Sequence, residues 1–299
     1  MDTFEGAFLR RGCEMVSVII PTYNRRELVR EAMVSVLSQR DTDLELIVVD
    51  DGSDDDTASM VAGFGEGVRC LRTPHRGVSA ARNVGILASR GRWIAFLDSD
   101  DLWLRGKLRE QMEFLARHPE IRICQTEEIW IRNGCRINPR KYHRKPEGYC
   151  FERLLERCLV SPSAVVMERS LLDEVGLFDE NLPACEDYDL WLRIGCRHPL
   201  GLVRKPLVVK RGGHGDQLSA VVSSLDRWRI ESLKNLLRSG RLTEVQTQQA
   251  MAVLRRKCRV YGRGCFKRGR WEEGDHILGL PARLSESLRS VGKRGSTGP

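Results

Sequence analysis

Short β-branched runs alternate with amphipathic stretches over roughly the first 120 residues of the chain. Val16–Ile20 (VSVII) is uninterruptedly apolar and stops at Pro21-Thr22-Tyr23-Asn24, which predicts a buried strand followed by a turn. From Arg26 onward Leu28, Ala32, Val36 and Leu37 recur at helical spacing. Leu44–Val49 (LELIVV) predicts a second strand ending at Asp50-Asp51-Gly52-Ser53. A short helix over 55–64, a third strand over Val68–Leu71, a small-residue helix over Val78–Ser89 and a fourth strand over Arg92–Leu97 follow. This alternation implies βαβ units and a parallel sheet. Ligands of open α/β sheets bind beyond the carboxyl ends of the strands. The PTYN, DDGS and DSDD loops are therefore expected to meet at one sheet edge.

The pattern loosens afterwards. Leu104–His118 predicts a helix, Ile121–Ile137 a strand pair around the Asn133-Gly134 turn, Glu152–Cys158 a helix and Ala164–Met167 a strand, with VGLFDENLP as a connector. Cys185-Glu186-Asp187-Tyr188-Asp189-Leu190-Trp191 has the acidic start and apolar continuation of a helix N-terminus. Leu202–Lys210 returns as a strand ending in Arg211-Gly212-Gly213-His214. From Leu225 the periodicity is helical only, over 225–238, 243–260 and 271–290. The implied organisation is an N-terminal extension (1–14), an α/β domain (15–222) with halves at 15–120 and 121–222, a basic α-helical appendage (223–290) and a disordered tail (291–299).

Composition narrows the class. With 299 residues, 41% hydrophobic and 30% charged, the chain can bury a sizeable core. It has no apolar run of the roughly 20 residues needed to cross a bilayer and no signal-peptide core, so a cytoplasmic location is expected. Ten cysteines show no C-x-x-C pair, which predicts reduced thiols in apolar surroundings. The net charge is +8, yet residues 225–299 hold 17 Lys/Arg against 7 Asp/Glu. Such a basic segment suits peripheral contact with the inner membrane, where the alternative is a solvated helical face. Aromatic residues do not interleave with the basic ones and no nucleic-acid motif is present, so nucleic acid is not an expected partner.

The densest chemistry lies in Asp98-Ser99-Asp100-Asp101, directly after the fourth strand. Three carboxylates within four positions repel one another unless a cation compensates, most economically a hard divalent metal. In an extended segment Asp98 and Asp100 fall on one side and could address a metal and a diphosphate together. A solvated turn is the alternative. Gly63-Phe64-Gly65-Glu66-Gly67 precedes a strand and is not a dinucleotide fingerprint. The acids of DDGSDDDT do not form an EF-hand loop, since glycine stands third instead of sixth. A sugar-nucleotide nucleotidyltransferase would carry a Gly-rich signature and a lysine after its first strand, where PTYN stands here. Phosphotransfer to Asp50 or Asp51 would leave DSDD and EDYD unexplained. In another class, the chain would be a basic membrane- or nucleic-acid-binding module.

VSVIIPTYNR, ELIVVDDGSDDDT, GVSAARNVGI, WIAFLDSDD and CEDYDLWLRI, in that order and spacing, resemble the inverting family-2 glycosyltransferases. The resemblance covers roughly 15–220 and leaves out the helical tail. It implies the GT-A fold, a Rossmann-like, mostly parallel α/β sheet flanked by helices, and transfer of one sugar from a nucleoside-diphosphate sugar to a hydroxyl on a carbohydrate or glycolipid, in cell-surface polysaccharide or glycolipid assembly. Carried over residue by residue, Pro21 and Tyr23 would border the base or ribose, and Asp51 would accept a hydrogen bond from the nucleobase, which suits uracil and favours a UDP-sugar. Arg82 would face the diphosphate. Asp98 would lie near the ribose, Asp100 would hold Mn2+ or Mg2+, and Asp101 would orient the others or meet the donor sugar. Asp187 matches the general base, and His214 is a further candidate metal ligand. The chain lacks the membrane helices and Q-x-x-R-W motif of processive synthases, which implies addition of one sugar at a time. Trp103 and Trp191 are expected in the core.

Overall fold

The computed structural model describes residues 14–138, 140–213, 215 and 224–294. Nine strands form one sheet: β1 (Val16–Thr22), β2 (Leu44–Asp50), β3 (Val68–Arg72), β4 (Trp93–Phe96), β5 (Leu102–Trp103), β6 (Ile123–Arg132), β7 (Cys135–Ile137), β8 (Val165–Glu168) and β9 (Gly201–Gly212). Their order is β3-β2-β1-β4-β8-β6-β9-β5, with β7 paired to β6. The helices are α1 (Arg26–Leu37), α2 (Thr57–Ala62), α3 (Val78–Ala88), α4 (Lys107–Arg117), α5 (Phe151–Glu156), α6 (Ser170–Val175), α7 (Glu186–Gly195), α8 (Leu225–Arg238), α9 (Glu244–Lys267) and α10 (Trp271–Arg294).

The expected parallel arrangement holds for β3-β2-β1-β4. Beyond β4 the sheet becomes mixed: β8 runs antiparallel to both β4 and β6, and β6 pairs parallel with β9. Every residue of β1 is buried, as expected of a central strand covered on both faces. On one side α1 buries Val29, Ala32, Met33 and Val36, the stripe of an amphipathic helix. On the other, α3 packs so closely that a Cβ at Gly85 would lie 2.4 Å from Ile19 Cγ2.

Two short elements escape the periodicity. The two-residue strand β5 stands just before the helix read from Leu104, and α4 begins only after Gly106, whose φ is +79°. The six-residue helix α6 precedes the connector at 175–183. That connector is fastened to α3 by Asn83, whose Nδ2 donates to Phe178 O and whose Oδ1 accepts from Phe178 N, both at 3.0 Å.

The C-terminal helices form as expected, with α9 started by a capping box between Thr243 and Gln246. Their apolar faces do not stand apart from the α/β domain. Leu233, Leu237, Leu254 and Cys258 join Leu154, Trp191 and Ile194 in one buried cluster, so the core runs through the expected boundary near residue 223. Trp103 and Trp191 are buried, in line with the core reading. The nine described cysteines are free thiols. Among the described residues, no helix is long and apolar enough to cross a membrane. The N-terminal extension up to residue 13, His214 and residues 295–299 of the expected tail lie outside the described residues.

Candidate active site

The loops after β1, β2 and β4 converge at one sheet edge. Asn24, at φ +51°, donates its backbone N–H to Ser53 Oγ at 2.9 Å, and its Oδ1 accepts from Asp54 N at 2.8 Å. Asparagine tolerates that left-handed backbone better than most residues. Arg25 NH1 reaches Asp100 Oδ2 at 3.2 Å, which ties the PTYN turn to the acidic loop.

Asp51 clamps the loop before α3. Its Oδ1 accepts from Arg76 N at 2.9 Å and its Oδ2 from Gly77 N at 2.8 Å. His75 Nδ1 lies 2.9 Å from Oδ2. The Asp51 side chain is only 4% exposed, so these loop partners take most of its capacity. The loop approaches so closely that a Cβ at Gly52 (φ +82°) would sit 2.9 Å from His75 N. Tyr23 stacks on His75 with ring centroids 3.9 Å apart, and these rings are the exposed face of this corner. Pro21, expected beside the base, is buried inside β1, where it aligns with Val49 of β2.

Arg82 is placed differently from the expectation that it faces a diphosphate. Its NH2 donates to Asp98 Oδ1 at 2.7 Å and its NH1 to Glu186 Oε1 at 2.6 Å, and its side chain is 4% exposed. The guanidinium therefore joins the acidic loop after β4 to the first turn of α7, and these carboxylates hold its pKa above the usual arginine value despite burial. Burial raises the pKa of Glu186, with Arg82 opposing.

The three acids of the DSDD run separate in environment. Asp101 is buried, accepting from Ser163 Oγ at 2.7 Å and from Arg211 N at 2.9 Å. Desolvation pushes its carboxyl up to about 8 against the pull of Lys210. Asp100 is also raised, first by burial and then by Asp98. Asp98 remains 28% exposed at its side chain.

Among the described residues no group of three or more His, Cys, Asp or Glu converges as a metal-ligand set. Two carboxylates remain as donors: Arg82 engages one oxygen of Asp98 and Arg25 one oxygen of Asp100, leaving the second oxygen of each outside these pairs. Hard oxygen donors fit Mn2+ or Mg2+, ions that take few protein ligands and keep water or phosphate oxygens for the rest. Asp100, expected as a metal ligand, and Asp98, expected near the ribose, thus have the donor chemistry such an ion takes.

Asp187 lies in the first turn of α7, one residue beyond Glu186. Its Oδ1 accepts from Tyr188 N at 2.6 Å and its Oδ2 from the Cys158 thiol at 3.1 Å. The first turn of a helix presents free N–H groups and the positive end of its dipole. Cys158 is itself pushed well up by burial and by Asp187, so it serves as an S–H donor.

Several members of this cluster were not singled out from the sequence. Lys210, on β9, faces Glu128, Asp101, Asp98 and Asp187, and these acids keep it protonated against desolvation. Arg25 and Glu186 stand inside or beside the motifs, but only three-dimensional pairing gives them roles. Ser163 and Cys158 lie in stretches with no chemical signature.

Residues 17–175, more than half of the 299-residue chain, match the family described as glycosyl transferase family 2. The chain belongs to that family, which selects the glycosyltransferase expectation over the nucleotidyltransferase and binding-module alternatives. Over 182 residues it is 33% identical to the Escherichia coli UDP-Glc:alpha-D-GlcNAc-diphosphoundecaprenol beta-1,3-glucosyltransferase WfgD, covering 60% of this chain and 69% of that protein. Its architecture is the GT-A fold of Staphylococcus aureus TarS 1–349, solved with UDP-GlcNAc (TM-score 0.73, 20% identity, 90% of this chain and 81% of that one). The Pyrobaculum calidifontis mannosyltransferase PcManGT, solved with GDP-Man and Mn2+, is similar at a TM-score of 0.55 and 20% identity over 90% of this chain and 84% of that one. The chain spans only 28 to 32% of the length of three Rickettsia glycosyltransferases that it also matches.

Proposed function

We propose that the chain transfers one sugar, with inversion, from a nucleoside-diphosphate sugar to a hydroxyl acceptor in polysaccharide or glycolipid assembly. The observation that carries this reading is the Arg82 bridge, which joins Asp98 of the donor-side loop to Glu186 at the start of α7, beside Asp187. The nucleotides named with the two solved relatives, and WfgD's lipid-linked acceptor, support the substrate class.

Tyr23 and His75 offer a stacking surface for the base, favoured here as uracil. Asp98 and Asp100 would hold Mn2+ or Mg2+, which when bound neutralises charge developing on the departing diphosphate. Arg25 and Lys210 add positive charge on the same side. Asp187 takes the proton from the acceptor hydroxyl as its oxygen attacks the anomeric carbon, and the Cys158 thiol orients that carboxylate. A single displacement needs no covalent enzyme intermediate.

Thermal denaturation with a panel of UDP-, GDP- and dTDP-sugars, with and without Mn2+, tests the donor class. One nucleotide sugar should raise the melting temperature only with metal, and Asp100→Ala should abolish that shift. Proton NMR of the product should show the opposite anomeric configuration to the donor. Retention would refute the mechanism.

The reading includes peripheral contact with an anionic membrane. On α9 the side chains of Arg255, Arg259, Arg263 and Lys267 are exposed at four-residue spacing, and among the described residues none forms an ion pair. Like charges at this spacing destabilise a helix by roughly 0.2–0.5 kcal/mol per pair. An anionic surface would offset that cost. Flotation with phosphatidylglycerol vesicles at low salt should carry the full chain but not a variant with these four residues changed to Gln.

A further inference from the structure

A cavity of about 440 Å³ lies behind the catalytic edge, between the turn after α5 and the helices α8 and α9. Cys158 forms part of its wall, and the same thiol donates to Asp187. Its contents would therefore lie one side chain away from the candidate base. The cavity is built jointly by the α/β domain and the C-terminal helices, which gives those helices a part in the site.

Its lining is cationic in excess. Arg157, Arg229, Arg256 and Lys257 face two carboxylates, Glu156 and Asp226. Glu156 is taken up by Arg256 at 2.6 Å. Asp226 is shared between Arg229 and Lys257, each at 3.2 Å. Arg157 has no carboxylate partner among the described residues and rests against the Tyr142 ring, with Cζ 4.4 Å from its centroid. Among the described residues, the buried Arg229 Nε has no hydrogen-bond partner. Desolvation, with Arg157 and Arg140, lowers the pKa of His143 in the same wall. Four fixed cations, two carboxylates and an unmatched buried donor describe a site for a multiply charged anion.

We infer that this cavity is the acceptor site and that it binds a phosphate or diphosphate carried by the acceptor, through Arg157 and Arg229 with Lys257 and Arg256 at its sides. The inference rests on the glycosyl-transfer reading and adds to it the acceptor's chemical class. Held there, the anion places the rest of the acceptor toward Cys158 and Asp187, so that one bound group fixes which hydroxyl meets the base.

Calorimetric titration of the full chain with inorganic pyrophosphate in EDTA tests the site without requiring turnover. Saturable binding is expected, weakened more than about tenfold by Arg157→Gln and by Arg229→Gln, as loss of one charge-assisted contact implies. Arg25→Gln, on the donor side, should leave it unchanged. Absence of binding, or sensitivity to Arg25→Gln but not to the two pocket variants, overturns the inference.

Turnover supplies the second arm. With one acceptor sugar presented as a soluble glycosyl phosphate, as an alkyl diphosphate in micelles and as a neutral alkyl glycoside, Arg157→Gln should raise KM for the phosphorylated forms only. Whichever of the two is preferred distinguishes a free from a lipid-borne phosphate. An equal rise for all three overturns the site. Failure to transfer to any of them would refute the glycosyl-transfer reading, while the pyrophosphate titration still decides the pocket.

Discussion

The guanidinium of Arg82 holds the carboxylate of Glu186 at 2.6 Å with both side chains almost wholly buried, and its other arm reaches Asp98. Removing one partner of a buried pair costs about 3–5 kcal/mol, because the other charge is stranded. Arg82→Met should therefore lower stability by that order in urea denaturation. The double variant Arg82→Met/Glu186→Leu should lose less than the sum of the two single changes, by about 1 kcal/mol or more. Additive losses would show that the two residues do not act as a unit.

Asp187→Asn keeps the shape of the first turn of α7 and removes the proton acceptor. Turnover should fall by about 10²–10⁴-fold, the usual contribution of a general base. Nucleotide affinity, read by calorimetry with UDP and Mn2+, should change little. Normal transfer in this variant would remove Asp187 from the mechanism.

Glu128 gives the protein an acid-sensitive element. Burial by itself would raise this carboxyl, but Lys145 at 3.0 Å and Lys210 override it and hold it down to about 2. An unfolded glutamate titrates near about 4.3, so the folded state binds the proton less readily than the unfolded one. The stabilisation is fully present above about pH 4.3 and is lost as pH falls toward about 2. Glu128→Gln should be less stable at neutral pH by about 3–5 kcal/mol and should show a shallower acid slope between those limits. Denaturant melts at a series of pH values would reveal an unchanged slope if the pair is unimportant.

Gly52 is confined by both backbone and space. At φ +82° a side chain is strained, and a Cβ would press on His75 N at 2.9 Å. Gly52→Ala should cost about 1–3 kcal/mol and disturb the stacked Tyr23–His75 pair. Weaker UDP binding, out of proportion to the loss of stability, would accompany it, whereas a fully stable variant with normal UDP affinity would refute this role.

Periodicity carried most of the architecture. The bounds of β1, β2, α1 and α3 agree with the apolar spacing to within about two residues, because these segments are buried by their own pattern. The elements it missed, β5 and α6, are two and six residues long and are held by neighbours, such as the Leu102–Val209 and Trp103–Val208 pairings. Too few residues repeat in them for a period to emerge. The mixed second half of the sheet was similarly hidden, since strand direction depends on connections and not on local spacing.

Asp98, Asp100, Asp101 and Asp187 stand in local runs whose charge density and helix-start pattern make them visible in one dimension. Their partners do not: Arg82 and Glu186 lie 104 residues apart, Ser163 and Asp101 62, and Cys158 and Asp187 29. Residue type and order sufficed for the α/β class, the converging loops and the acids of the candidate site, because each follows from neighbours along the chain. Folding alone decided which charges are buried together: that Arg82 is spent on two carboxylates, that Lys210 stands among four acids, and that α8 and α9 close a cationic cavity against Cys158. Coulomb interaction and desolvation depend on distance in space, and that distance is set by packing.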